Sequence, residues 1–231
     1  MERRVKPELL DDLPPANARA IRARKDLRWV NSWMGHAKVM ARALRSTSNG
    51  QSGGRLVDLG AGDGSWLLRV AGRLGSKWRG TSALLLDRLN IVAPESRRGF
   101  EALGWRTEVV EAEASAWLER PDASGCDVML ANLFLHHFSE TQLTGMLLAA
   151  ARQARVFIAL EPRRSKRSLF FSHLLWFIGC SHVTRYDAPI SVRAGFAGRE
   201  LSRLWPAGQS WRLNERPVRS FSHLFIAQRK E

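Results

Sequence analysis

The chain has 231 residues, 45% of them hydrophobic and 25% charged, which excludes a disordered segment and allows one domain with a sizeable core. Its two cysteines, Cys126 and Cys180, lie far apart, so neither a disulfide framework nor a cysteine zinc site is indicated, and a reducing, cytoplasmic setting is expected. The formal net charge of +14 is scattered along the chain, so solvated faces explain it better than a dedicated nucleic-acid or anionic-membrane surface.

In chain order, Glu2, Glu8, Asp11 and Asp12 sit among the first basic residues with no apolar run behind them, which argues against a secretory signal. Asp11-Asp12-Leu13-Pro14-Pro15 reads as a loop leading into a helix. Apolar residues at Ile21, Leu27, Trp29, Val30, Trp33, Met34, Val39, Met40 and Leu44 predict one long helix over Ala16 to Arg45, or two broken near Gly35. They are too few to form a core alone, so residues 1–54 are expected to be a helical arm and linker, a lid rather than a domain. The linker is the Ser-, Gly- and Asn-rich stretch from Ser46 to Gly54.

From Arg55 onward, strand and helix alternate. Strands are predicted at Leu56–Leu59, Ser82–Leu86, Arg106–Val110, Asp127–Asn132 and Val156–Leu160, with helices at Ser65–Leu74, Pro94–Leu103 and Glu140–Ala151. This order predicts a mostly parallel sheet with helices on both faces. The last two runs, Trp211–Leu213 and His223–Ala227, lack a full helix between them and predict an antiparallel pair. Between these regions, Ser168–Gly179 is apolar and aromatic, and Arg163, Arg164, Lys166 and Arg167 precede it. It falls well short of the roughly 20 residues of a bilayer span. A buried helix, a wall of a substrate pocket and a helix lying on a membrane surface all fit it.

The turn Gly60-Ala61-Gly62-Asp63-Gly64 follows the first strand and opens a helix. Glycine there permits a tight bend and lets a ligand reach the backbone. A dinucleotide fingerprint would place its third glycine where Ser65 stands. Asp58 and Asp63 are also poor company for a pyrophosphate, but suit a ligand with ammonium and sulfonium charge. The second strand ends on Asp87, followed by Arg88, and a carboxylate at that tip can accept from both hydroxyls of a ribose.

The successive segments Val57–Gly64, Leu84–Asp87, Val109–Ala114 and Asp127–Phe138 resemble the ordered motifs of class I S-adenosylmethionine-dependent methyltransferases, closest to the small-molecule branch of ubiquinone and menaquinone biosynthesis. The resemblance covers about residues 56–162. It implies a Rossmann-like, seven-stranded sheet over 55–231 with S-adenosylmethionine as cofactor and a substrate-binding region near 163–205. It also implies that Gly60, Ala61, Gly62, Asp63 and Gly64 approach the cofactor, with Asp58 beneath the loop at the methionine end. Asp87 and Arg88 would lie at the ribose, Glu113 with Ala114 at the adenine, and Asn132 beside the reacting methyl group. Aspartate is commoner in the family where Glu113 stands, and Glu111 offers a competing register.

His136, His137 and Glu161 are the candidates for a base that takes a hydroxyl proton from the acceptor. No metal is expected, because no further ligands accompany the two histidines. Asn132-Leu133-Phe134-Leu135 departs from the Pro-Pro pattern of base-amino methylation, and Cys126 opens its strand rather than closing it, as a cytosine-carbon nucleophile would. Trp29, Trp33, Phe170, Phe171, Trp176 and Phe177 could line a pocket for a hydrophobic hydroxylated small molecule, or simply belong to the core. An RNA methyltransferase and a non-catalytic cofactor-binding module are the competing readings.

Overall fold

The computed structural model describes residues 1–47, 54–120, 125–176, 179–206, 208 and 210–230. Most of the Ser46–Gly54 linker, and Phe177, lie outside them. Strands β1 (Arg55–Leu59), β2 (Ser82–Asp87), β3 (Arg106–Glu111), β4 (Cys126–Asn132), β5 (Ala154–Pro162), β6 (Trp211–Val218) and β7 (Ser222–Arg229) form one sheet in the order β3-β2-β1-β4-β5-β7-β6. β1 to β5 run parallel, and β7 runs antiparallel to β5 and β6. The expected mostly parallel sheet with its antiparallel closing pair is present.

The inner strands are buried on both faces, so they read as apolar runs in the sequence. Alternate residues part to opposite sides. Leu56, Leu85, Leu130 and Ile158 pack with side chains of α3 (His36–Thr47), α4 (Ser65–Leu74) and α5 (Pro94–Ala102). Val57, Leu59, Met129 and Phe157 pack with α6 (Ala114–Leu118), α7 (Glu140–Gln153) and α10 (Glu200–Leu204). A capping box between Ser139 and Gln142 fixes the start of α7.

The N-terminal arm divides at Gly35, whose φ of 71° ends α2 (Ala18–Met34) in the left-handed region. The two halves differ. α3 buries Ala37, Met40, Ala41 and Leu44 and packs on α4, so it belongs to the core rather than to a lid. α2 buries only Ala20 and Ala23. Ahead of both, α1 (Leu9–Asp12) is held to α9 (His182–Ala194) by the Asp187 carboxylate, which accepts from Leu9 N (2.8 Å) and Leu10 N (3.1 Å). The Arg3 guanidinium straps the segment before it to the carbonyls of Ala194 and Phe138, both at 2.8 Å. The remaining helix, α8 (Lys166–His173), packs on α9.

If α3 is core and α2 is cover, Leu44→Ala should cost about 2–5 kcal/mol in urea unfolding, the range for emptying a buried leucine site. Trp33→Ala, on the exposed side of α2, should cost less than about 1 kcal/mol. Similar losses for both would contradict the division.

Candidate active site

A cavity of about 860 Å³ opens beyond the carboxyl ends of the parallel strands, where an open α/β sheet leaves its crevice. The turn after β1 forms one wall: Gly60, Ala61, Gly62 and Asp63 line it, while Asp58 and Gly64 do not. A β-carbon on Gly60 would stand 2.4 Å from the Phe134 ring, so the protein's own packing requires that glycine. A β-carbon on Gly62 would meet nothing within 4 Å, and its φ is +55°. There the backbone is bare toward the cavity. Gly64 faces Ser96 and Val92 instead, so its role lies in packing behind the turn.

Asp87, at the tip of β2, holds the turn: Oδ2 accepts from Gly62 N (2.8 Å) and Oδ1 from Leu89 N (3.0 Å). Each carboxylate oxygen can accept about two hydrogen bonds, so both keep capacity for a ligand. Arg88 lines the cavity but donates to Asp11, at 2.8 Å to its carbonyl and 2.9 Å to Oδ1. After β3, Ala112, Glu113 and Ala114 line the cavity and Glu111 lies outside it.

The two acids of the turn are not the free charges that the sequence suggested. Asp58 is buried with one oxygen unpartnered, and burial, then the neighbouring charge of Asp87, pushes its carboxyl well above the usual range toward the neutral form. Asp63 forms an ion pair with Arg28 of α2 at 2.7 Å. Its other oxygen accepts from the backbone (3.0 Å) and hydroxyl (2.6 Å) of Ser65 at the start of α4. Among the acids first assigned to the cofactor, Asp87 and Glu113 are left to present charge to the cavity.

At the end of β4, Asn132 Oδ1 meets His36 Nδ1 at 3.0 Å, and His36 Nε2 meets Ser222 Oγ at 2.9 Å. Burial pushes His36 down to about 4, so it is a neutral ring that orients Asn132. Leu133 follows with φ 53°, a region bulky residues seldom occupy. Its N–H donates to Leu160 O at 2.9 Å, and the bend brings Phe134 over Gly60.

The three base candidates separate clearly. Glu161 is fully buried and does not line the cavity. Its Oε1 accepts from Phe134 N and Leu135 N at 3.0 Å each, and its Oε2 from His136 Nδ1 (2.8 Å) and His136 N (3.4 Å). Four donors fill its lone pairs, and the expectation that it removes a proton is corrected: it is an anchor. His136 lies between Glu161 and Glu8, whose Oε1 is 3.5 Å from its Nε2. Burial opposes its charge, but hydrogen bonds to the two carboxylates overcome this and raise it to about 9. His136 lines the cavity, but its position between two carboxylates favours the protonated ring, which weighs against a base there.

His137 is half-buried, lines the cavity and sets Nδ1 3.1 Å from Asp11 Oδ2. Glu8, His136 and His137 bring ligand atoms within 4.8 Å of one another; the two carboxylates beside His136 favour its protonated form, with which a cation at that nitrogen would have to compete. Cys126 is buried at the start of β4, outside the cavity lining, and burial pushes its thiol up to about 12. Glu8, Asp11 and His36 were not singled out as site residues from the sequence. Trp29, Trp33 and Phe171 do line the cavity, whereas Phe170 and Trp176 do not.

The His136 imidazolium ties stability to pH. Below the ordinary value near 6.5 the folded and unfolded chains both hold its proton; from there to about 9 the folded chain alone does, so stability falls as pH rises through that window. The melting temperature should drop by on the order of 5–10 °C across it. His136→Gln should start lower at neutral pH and show a flatter profile. Equal slopes in the two proteins would remove the imidazolium.

No family model matches the sequence, and no curated protein matches it. Solved structures do. An O-methyltransferase family protein from Burkholderia thailandensis is 16% identical over 84% of this chain and 56% of its own, with a TM-score of 0.54. The pyocyanin biosynthetic protein PhzM is 16% identical over 78% of this chain and 51% of its own, with a TM-score of 0.51. This chain thus spans about half the length of those two proteins. Magnesium protoporphyrin IX methyltransferase from Synechocystis PCC 6803, solved with bound S-adenosylhomocysteine (SAH), is 13% identical over 96% of this chain and 91% of its own, with a TM-score of 0.53. The sheet order, the antiparallel closing pair and these likenesses together show that the chain has the fold of the class I S-adenosylmethionine-dependent methyltransferases.

Proposed function

We propose that the chain transfers a methyl group from S-adenosylmethionine to the hydroxyl of a small hydrophobic acceptor such as a phenol, quinone precursor or polyketide. The observation that carries this reading is a single cavity whose walls hold Gly62, Asp87 and Glu113 together with Trp29, Trp33, Met34 and Phe171. Its volume of about 860 Å³ is near the top of the range of about 300–1,000 Å³ for small-molecule sites, room for a nucleoside cofactor and an acceptor together.

The residues fit that cofactor. Gly62 leaves the backbone open, Asp87 keeps capacity for two vicinal hydroxyls, and Glu113 beside Ala114 offers an acceptor to a purine amino group. Asn132, fixed by His36, stands at the end of β4 for the reacting end. Bound there, the cofactor supplies an electrophilic methyl group on a sulfonium.

The protein must align the acceptor and take its proton. His137 suits the second task. With its Nδ1–H donated to Asp11, its lone pair is on Nε2, where it accepts the hydroxyl proton, and Asp11 stabilises the resulting imidazolium. α2 covers the site, latched to the cofactor turn by Arg28 and Asp63, and limits the access of water. The mostly apolar lining favours this reading over an RNA acceptor, which would call for a basic groove leading to the methyl site. The name of the porphyrin methyltransferase supports it too. The free, buried cysteines suit a reducing cytoplasm.

Calorimetry with S-adenosylmethionine tests the reading. The protein should bind it, and Asp87→Ala, shown to be folded, should weaken binding by on the order of 1–3 kcal/mol. Unchanged affinity would sink the ribose assignment, and absence of binding to the unaltered protein would sink the whole reading. His137→Ala should lower kcat about 10²–10⁴-fold on a hydroxyl acceptor while leaving cofactor affinity intact.

A further inference from the structure

The mouth of the cavity is built from side chains that soluble proteins seldom leave in water. Trp29 and Trp33, one turn apart on α2, are 53% and 62% exposed, and Phe170 on α8 is 62% exposed. They belong to one patch. Trp33 and Phe171 both pack on Phe221, in the turn between β6 and β7, with ring centroids 5.8 and 5.2 Å away, and Phe170 meets Phe171 at 5.7 Å. Trp29, Trp33, Phe171 and Phe221 also line the cavity, so the patch is continuous with its apolar interior. Trp176, 63% exposed, extends the apolar surface beyond α8.

The charge around this patch has one sign. Lys166 and Arg167 open α8 and are exposed, and α8 contains no acid. The Arg167 guanidinium lies 5.8 Å from the Phe171 ring, and that of Arg185 lies 4.1 Å from Trp176. α2 adds the exposed Arg22 and Lys25. Its one acid, Asp26, is turned inward, accepting from Ser181 N (2.7 Å) and Thr184 Oγ1 (3.1 Å). A contiguous apolar patch rimmed by polar residues marks an interaction surface. Aromatic side chains beside lysine and arginine are the composition of helices that lie in the headgroup region of a bilayer. A second copy is disfavoured, since each chain carries +14. Phe171 meets Phe170 and Phe221 edge-on and Trp33 stacks on Phe221, so these rings pack on one another rather than standing as separate platforms for nucleic-acid bases.

We infer that the α2–α8 rim docks on an anionic lipid bilayer and takes its acceptor from the membrane, so that the acceptor is a lipid-soluble molecule whose polar, hydroxyl-bearing end enters the cavity first. The docking surface stands on its own observations; the acceptor class rests on the function proposed above. Apolar side chains inserted at the mouth would let the acceptor pass from acyl chains to cavity without crossing water, and the cations would hold the mouth against the headgroups.

The test is cosedimentation of the full chain with phosphatidylcholine vesicles, with and without about 30% phosphatidylglycerol. Binding should require the anionic lipid and be released by roughly 0.5 M salt. Phe170→Ser with Lys166→Glu, neither residue lining the cavity, should weaken vesicle binding by about tenfold or more while cofactor affinity in calorimetry stays unchanged. No binding to anionic vesicles at low salt by a protein that still binds its cofactor would overturn the docking surface, and so would equal binding by the double variant. Lipid-free dimerisation lost in that variant would assign the patch to a second copy. Tighter binding of single-stranded RNA through the same residues would assign it to nucleic acid. Vesicle binding without cofactor binding would leave the surface standing and overturn the acceptor class.

Discussion

The arrangement of the site depends on one buried carboxylate. Glu161, near the end of β5, has no access to solvent, and a charge there is tolerable only if fully paired. It collects three backbone N–H groups from residues 134–136 and the imidazolium of His136. Those donors belong to the segment that follows β4, so the carboxylate fixes that bend, including the left-handed Leu133. The bend in turn packs Phe134 over Gly60 and shapes that wall of the cavity. Through His136 the same charge reaches Glu8, which also accepts from the Ser191 hydroxyl, and so secures the N-terminal segment across the cavity.

This network explains why adjacent histidines do different work. Both line the cavity, but His136 is buried between two carboxylates, whereas His137, one residue on, is half-buried and has Asp11 behind it. Two carboxylates of the N-terminal segment, Glu8 and Asp11, therefore end on this histidine pair. Glu8 stands at Nε2 of the buried His136, and Asp11 at Nδ1 of the half-buried His137. A truncation intended to remove a lid would remove Glu8 and Asp11 together with it, so the first residues belong to the site as much as the glycine turn does.

Most of the fold was legible because buried parallel strands appear as apolar runs. The edge strand β6 was seen only at Trp211–Leu213, since Asn214, Glu215 and Arg216 on a half-exposed edge look like loop. The break at Gly35 was readable, but the different fates of α2 and α3 were not. Both carry apolar residues at helical spacing, and only the packing of α3 on α4 marks it as core. In the site, Gly62 in the turn after β1 and Asp87 at the tip of β2 could be read from the residues themselves, whereas Glu113 and Asn132 came only with the family resemblance. Glu161 and His136 could be found but not understood, because burial and partners decide their charge. Asp11 meets His137 across 126 positions of chain, and no local pattern announces such a pair.

The two ends of the cavity impose opposite requirements on what it holds. Near the strands, Gly62 exposes its backbone and Asp87 retains hydrogen-bonding capacity, so a ligand lying there must bring polar groups or leave these unsatisfied. Toward α2 and α8, Trp29, Trp33, Met34 and Phe171 reward apolar surface and offer little to polar groups. His137 and Asp11 also belong to the lining, as the polar pair to which the function proposed above assigns the hydroxyl of the acceptor. An acceptor with a single polar end and an apolar body satisfies both requirements in one orientation, polar end inward. A uniformly polar molecule would leave the aromatic wall wetted, and a uniformly apolar one would leave the polar groups near the strands unsatisfied. Under the function proposed above, selection would follow from this gradient of polarity along the cavity, which would also fix the direction in which the acceptor enters.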